Sequence, residues 1–141
     1  MKKQIFVLFI LAIACAFSIS AVMAEDLETY DFDAKFTMQM EKGLNFTETP
    51  MDDGQGYFTD VNNAWGVMYI ESPKIREDNI DEFYKGFEEK GYKTIGTDGN
   101  VRIYEKGDMY YATTYKDGIM VVSLNTDKDK VENAIKTVKF S

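Results

Sequence analysis

The chain has 141 residues, 24 acidic against 16 basic side chains, a formal net charge of −8, no histidine and a single cysteine. Without histidine there can be no Ser-His-Asp or Cys-His arrangement. A chain this acidic repels nucleic acid and anionic membrane surfaces, so neither is expected as a partner.

At the N-terminus, Lys2 and Lys3 precede an apolar run from Ile5 to Ile19, and Val22-Met23-Ala24 closes it with small or modest side chains. A basic start, a short apolar core and a small-residue exit are the parts of a secretory signal peptide. Cleavage is expected between Ala24 and Glu25, which places the protein outside the cell or in the cell envelope. Two other fates compete. Ala12-Ile13-Ala14-Cys15 is a loose lipid-anchor site, and the apolar run is close to the ~20 residues that span a bilayer, so an uncleaved helix would hold the domain at the membrane. Cleavage removes Cys15, the only cysteine. Disulfides, thiolate nucleophiles and thiol-ligated metals then drop out, and the fold must rest on packing. Residues 1–24 are thus read as signal peptide, 25–29 as a short acidic tail, and 30–141 as one domain.

From Tyr30 to Glu41 the sequence alternates strictly. Tyr30, Phe32, Ala34, Phe36, Met38 and Met40 share one face, which predicts a single strand with one wet side. After Lys42-Gly43 a short strand resumes over 44–47. "TPMDDGQG", residues 49–56, is a loop. Strands follow near 57–61 and 65–71.

Ile80, Phe83, Tyr84 and Phe87 form one helical stripe, so a helix is expected over 79–90. Asn79 with Glu82 resembles a capping box, Gly91 is the stop, and Gly86 would allow close approach to a sheet. Asp98-Gly99, Gly107-Asp108 and Asp117-Gly118 punctuate four more strands, near 92–97, 100–106, 109–116 and 119–125. A final helix is expected over 127–139, with its stripe at Val131, Ala134, Ile135 and Val138 and its cap at Thr126 or Asp127. The strands over 109–125 are apolar on both faces, as in the middle of a sandwich. The expected class is α+β, a mostly antiparallel sheet with two amphipathic helices packed on it, in the order β-β-β-β-α-β-β-β-β-α.

The segment "AKFTMQMEKGLNF" and the order of elements from Tyr30 to Ser141 resemble the PsbP-like α/β/α sandwich. Glu41-Lys42-Gly43-Leu44 lacks the proline and tryptophan often found at that family's turn. The resemblance implies a small exported accessory protein with a binding or assembly role. It carries over no functional residue.

Three further signals bear on function. Asp52, Asp53 and Asp60, with Asn62 and Asn63, concentrate oxygen ligands and are the candidates for calcium, the one cofactor considered, although their spacing matches no EF-hand loop. Asp52, Asp53, Asp60 and Glu71 are the carboxylates from which a glycan hydrolase would draw its pair. Trp65, Tyr57, Tyr69, Tyr104, Tyr110, Tyr111 and Tyr115 fall on strands, where exposed rings would stack on a glycan or anchor a partner protein, and Trp65, Tyr104, Tyr110, Tyr111 and Tyr115 are the candidates for ligand contact. Asn45-Phe46-Thr47 is an N-glycosylation sequon. The reading favoured by these residues is an exported, non-enzymatic binding or interaction domain. A carboxylate glycan hydrolase and a self-assembling structural envelope component are the alternatives.

Overall fold

The computed structural model describes residues 27–141. The signal-peptide reading, with Cys15, Ala24 and Glu25, lies outside the described residues. The architecture is α+β, as expected: antiparallel sheet with two helices packed on it.

Strands β1 (Leu27–Phe32) and β2 (Phe36–Glu41) form a hairpin where one continuous strand was expected. Asp33 and Ala34 both adopt positive φ, 56° and 59°, and the Lys35 N–H closes the turn onto the Phe32 carbonyl at 3.0 Å. β1 also opens at Leu27, inside the stretch read as a tail.

β3 (Thr47–Thr49) is a short, exposed edge strand, set slightly later than the sequence suggested. β4 (Gln55–Asp60) and β5 (Trp65–Glu71) follow, joined by a 3-10 turn over Val61–Asn63. Helix α1 spans Ile80–Glu89. Its expected capping box does not form: the Asn79 side chain donates to the Lys74 carbonyl instead. Gly86 is not needed for close approach either, because a Cβ there would meet open space.

β6 (Lys93–Asp98), β7 (Val101–Lys106), β8 (Met109–Lys116) and β9 (Ile119–Asn125) complete the expected meander. Helix α2 (Lys128–Ile135) is capped by Asp127, whose carboxylate accepts from the Asp129 and Lys130 N–H groups. It ends earlier than its apolar stripe implied. The Thr137 hydroxyl donates to the Ala134 carbonyl and accepts the Gln39 N–H, which turns the chain into β10 (Lys139–Phe140) against β2.

Seven strands make one antiparallel sheet in the order β3-β4-β5-β9-β8-β7-β6. α1 carries the chain from β5 to the far edge, and the meander returns until β9 pairs with β5. The second sheet is β10-β2-β1.

Each face of the large sheet has its own core. On one, Phe32, Phe36, Met38 and Met40 of the small sheet and Val131 and Ile135 of α2 pack on Phe58, Val67, Tyr69 and Val121. On the other, Ile75, Ile80 and Tyr84 pack on Tyr115, Met120 and Val122. Both faces of β9 are therefore buried, which explains its nearly continuous apolar run. No helix among the described residues is long and apolar enough to cross a membrane.

A tyrosine-lined candidate binding cavity

α1 has ten residues and so is about 15 Å long, while seven strands span roughly 30 Å. One short helix cannot cover that face. It protects the end of the sheet near Ile80 and leaves a cavity of about 420 Å³ beyond Phe87, in its last turn.

Two adjacent rungs of the ladder make the floor. In one, Tyr57, Met68, Val122 and Thr113 stand side by side on β4, β5, β9 and β8. In the next, Leu124, Tyr111 and Tyr104 stand on β9, β8 and β7. The position beside Leu124 on β5 is Gly66, where a Cβ would lie 2.8 Å from the Leu124 side chain. Glycine there lets Leu124 lie flat across its neighbour. Phe87 and Tyr92 form one wall, and Met51 reaches in from the loop before β4.

The aromatic wall is packed ring against ring. Tyr92 meets Tyr111 edge to face at 4.9 Å, Phe87 meets Tyr104 at 5.5 Å, and Phe87 meets Tyr92 at 6.0 Å. Contacts this close make a continuous surface, not the open cage that surrounds a quaternary ammonium. The nearby cations also have ring partners already. Lys106 Nζ lies 4.6 Å from the Tyr92 centroid, and the Arg102 guanidinium lies 3.8 Å from that of Tyr84.

The hydroxyls set the chemistry. The Thr113 hydroxyl donates to the Arg102 carbonyl. Tyr104 is 1% exposed, and its buried hydroxyl makes no hydrogen bond of good geometry, with the Arg102 and Thr94 side chains within reach of it. Burial pushes the Tyr104 phenol up, with the charge and hydrogen bonding of Arg102 and the nearby Thr94 opposing, and burial beside Tyr92 pushes up Tyr111. Both are neutral hydrogen-bonding groups at neutral pH. Among the described residues lining the cavity there is no carboxylate, lysine or arginine.

Of the five aromatic candidates read from the sequence, Tyr104 and Tyr111 come together here. Trp65 does not. It faces the opposite core at 3% exposure, with its indole N–H donating to Glu41 at 3.0 Å, and borders a separate hollow of about 240 Å³ beside α2. Tyr110 points the same way as Trp65 and packs on that core. Tyr115 is on the cavity's face but lies in the core with Ile75 and Ile80. Tyr57, a strand aromatic outside those five, completes the lining with Tyr92, Phe87, Met51 and Met68, which the sequence did not single out as ligand contacts.

The acidic candidates stand elsewhere. Asp60 is 5% exposed and accepts from the Asn45 N–H and from Asn63, bonds that hold its carboxyl below the usual range. Asp52 and Asp53 are exposed in the loop between β3 and β4, and Glu71 bridges to Lys35 at 3.0 Å. Among the described residues no three acidic side chains are grouped to hold a metal ion. Asn45 is exposed. No protein-family model and no curated protein matches this chain.

Proposed function

We propose that this is an exported binding domain that holds a small, largely apolar molecule in the cavity beyond α1. Export rests on the sequence of residues 1–24. The binding role rests on one observation: a 420 Å³ concavity walled by tyrosine, phenylalanine and methionine on a rigid sheet. Ligand pockets have this size and this mixture of apolar body and few polar tips. The absence of carboxylates from the described lining favours binding over glycan hydrolysis, which needs two acids flanking the ligand.

The experiment is a fluorescence titration with N-phenyl-1-naphthylamine, an uncharged dye that brightens in apolar sites. Saturable binding is expected. Gly66→Ala drives the Leu124 side chain off its resting place on the cavity floor, and Tyr57→Ala removes part of the floor at β4. Both variants should weaken the dye while keeping the native circular dichroism. No saturable binding, or equal binding by the parent and both variants, would defeat the proposal.

A further inference from the structure

The two sheets have an outer strand at each end, and all but one of these strands are blunted. β3 has three residues, β10 has two, and β6 carries Lys93 and a bulge between Thr94 and Gly96. Short length, lysine and bulges protect an edge against the addition of another strand. β1 has none of them. It runs six residues, LETYDF, in unbroken register with β2, and among the described residues it pairs with no other strand. Leu27, Glu28, Thr29 and Asp31 are exposed.

The neighbouring strand shows which backbone groups are free. The Gln39 N–H donates to the Thr137 hydroxyl, on the β10 side of β2, so it points away from β1. Its partner Thr29 then belongs to a pair that exchanges no ladder bonds, and the Thr29 N–H and C=O point away from β2. By the two-residue repeat of a strand, those of Leu27 and Asp31 do the same.

We infer that this edge takes a second copy of the chain, β1 against β1 in antiparallel pairing, with Thr29 on the two-fold axis. Such pairing is self-complementary and closes at two copies. Opposed residues must both point toward the partner or both away from it, so the axis passes through a residue and not between two. At Thr29 it sets Thr29 against Thr29, Leu27 against Asp31 and Glu28 against Tyr30. Every outward residue is then hydrogen-bonded, and paired threonines are favourable. An axis at Glu28 or Asp31 would oppose like charges, and one at Tyr30 would set Leu27 against Asp33, which turns away at φ 56°.

Sedimentation equilibrium tests this. The parent protein should approach twice the monomer mass as its concentration rises. Thr29→Lys leaves the pairing with β2 intact but brings two cations together on the axis. Thr29→Pro removes an outward N–H that β2 does not use. Both variants should stay monomeric where the parent dimerises, and Thr29→Lys should keep the native circular dichroism. Amide exchange at Thr29 should slow as the parent is concentrated, while exchange at Glu48 on β3 should not change. A parent that is monomeric at its highest soluble concentration, a dimer that persists in Thr29→Lys, or exchange at Thr29 that is independent of concentration would each overturn the inference.

Discussion

Gly56→Ala is a sharp test of how the two sheets are joined. Gly56 on β4 is paired with Tyr69 on β5, and the Tyr69 ring lies over it where a Cβ would have to be. That ring is fixed from several sides. It stands edge to face with Phe36 at 6.1 Å, stacks on Phe58 at 6.4 Å, and donates its hydroxyl to Asp33 at 2.9 Å, with Lys35 Nζ 5.6 Å from its centroid. Adding a methyl group forces the ring off this seat. Overpacking of a filled core costs ~1–3 kcal/mol. Losing a partly exposed hydrogen bond to a carboxylate adds about 1.5 kcal/mol. Alanine's lower chain entropy in a strand returns roughly 0.5–1 kcal/mol. The net expectation is about 1.5–4 kcal/mol of destabilisation, read as a lower urea midpoint at unchanged slope. In a Tyr69→Ala background the same methyl group should cost almost nothing. A parent-background change under about 0.5 kcal/mol would show that the ring moves freely, and the proposed clasp between the sheets would be wrong.

Gly86→Ala should have the opposite sign. Its Cβ would enter open space on α1, so stability should rise by about 0.5–1 kcal/mol in urea denaturation, and a loss would mean an unseen contact. Asp127→Ala removes the only side-chain cap on an eight-residue helix and should cost ~1 kcal/mol, with Asp127→Asn largely retaining it. Burial pushes Tyr69 and Tyr84 up to about 12, with the Asp33 bond adding to Tyr69 and Arg102 opposing at Tyr84. Their contribution to stability is therefore intact below the unfolded value of about 10 and lost as pH rises through about 12. Tyrosinate absorbance should show these two of the nine tyrosines ionising last, together with unfolding. Normal, early ionisation of all nine would contradict their burial.

Much of the fold was legible because period and turn chemistry agreed. The Asp98-Gly99, Gly107-Asp108 and Asp117-Gly118 pairs marked the meander, with positive φ at all three glycines. The turn at Asp33-Ala34 was not legible. It contains neither glycine nor proline, and its three-residue loop preserves the parity of the alternation, so Phe32 and Phe36 stay in phase across it. The end of α2 was missed because Thr137 bonds β2, a contact nearly a hundred residues away in sequence.

The same division runs through the cavity. Tyr104 and Tyr111 flank a legible hairpin turn, and their pairing follows from it. Tyr57 and Met68 join them only through the pairing of β5 with β9, two strands separated by α1 and the whole meander. Trp65 was misplaced because alternation gives the two faces of a strand but not which one is sealed by a second sheet.

Methionine methyl NMR tests the central claim most directly. With 13C-methyl methionine and N-phenyl-1-naphthylamine added, Met51 and Met68 in the cavity lining should shift, while Met38 and Met40, buried beneath the small sheet, should stay in place. Shifts confined to Met38 and Met40, or spread equally over all four, would contradict a binding site beyond α1.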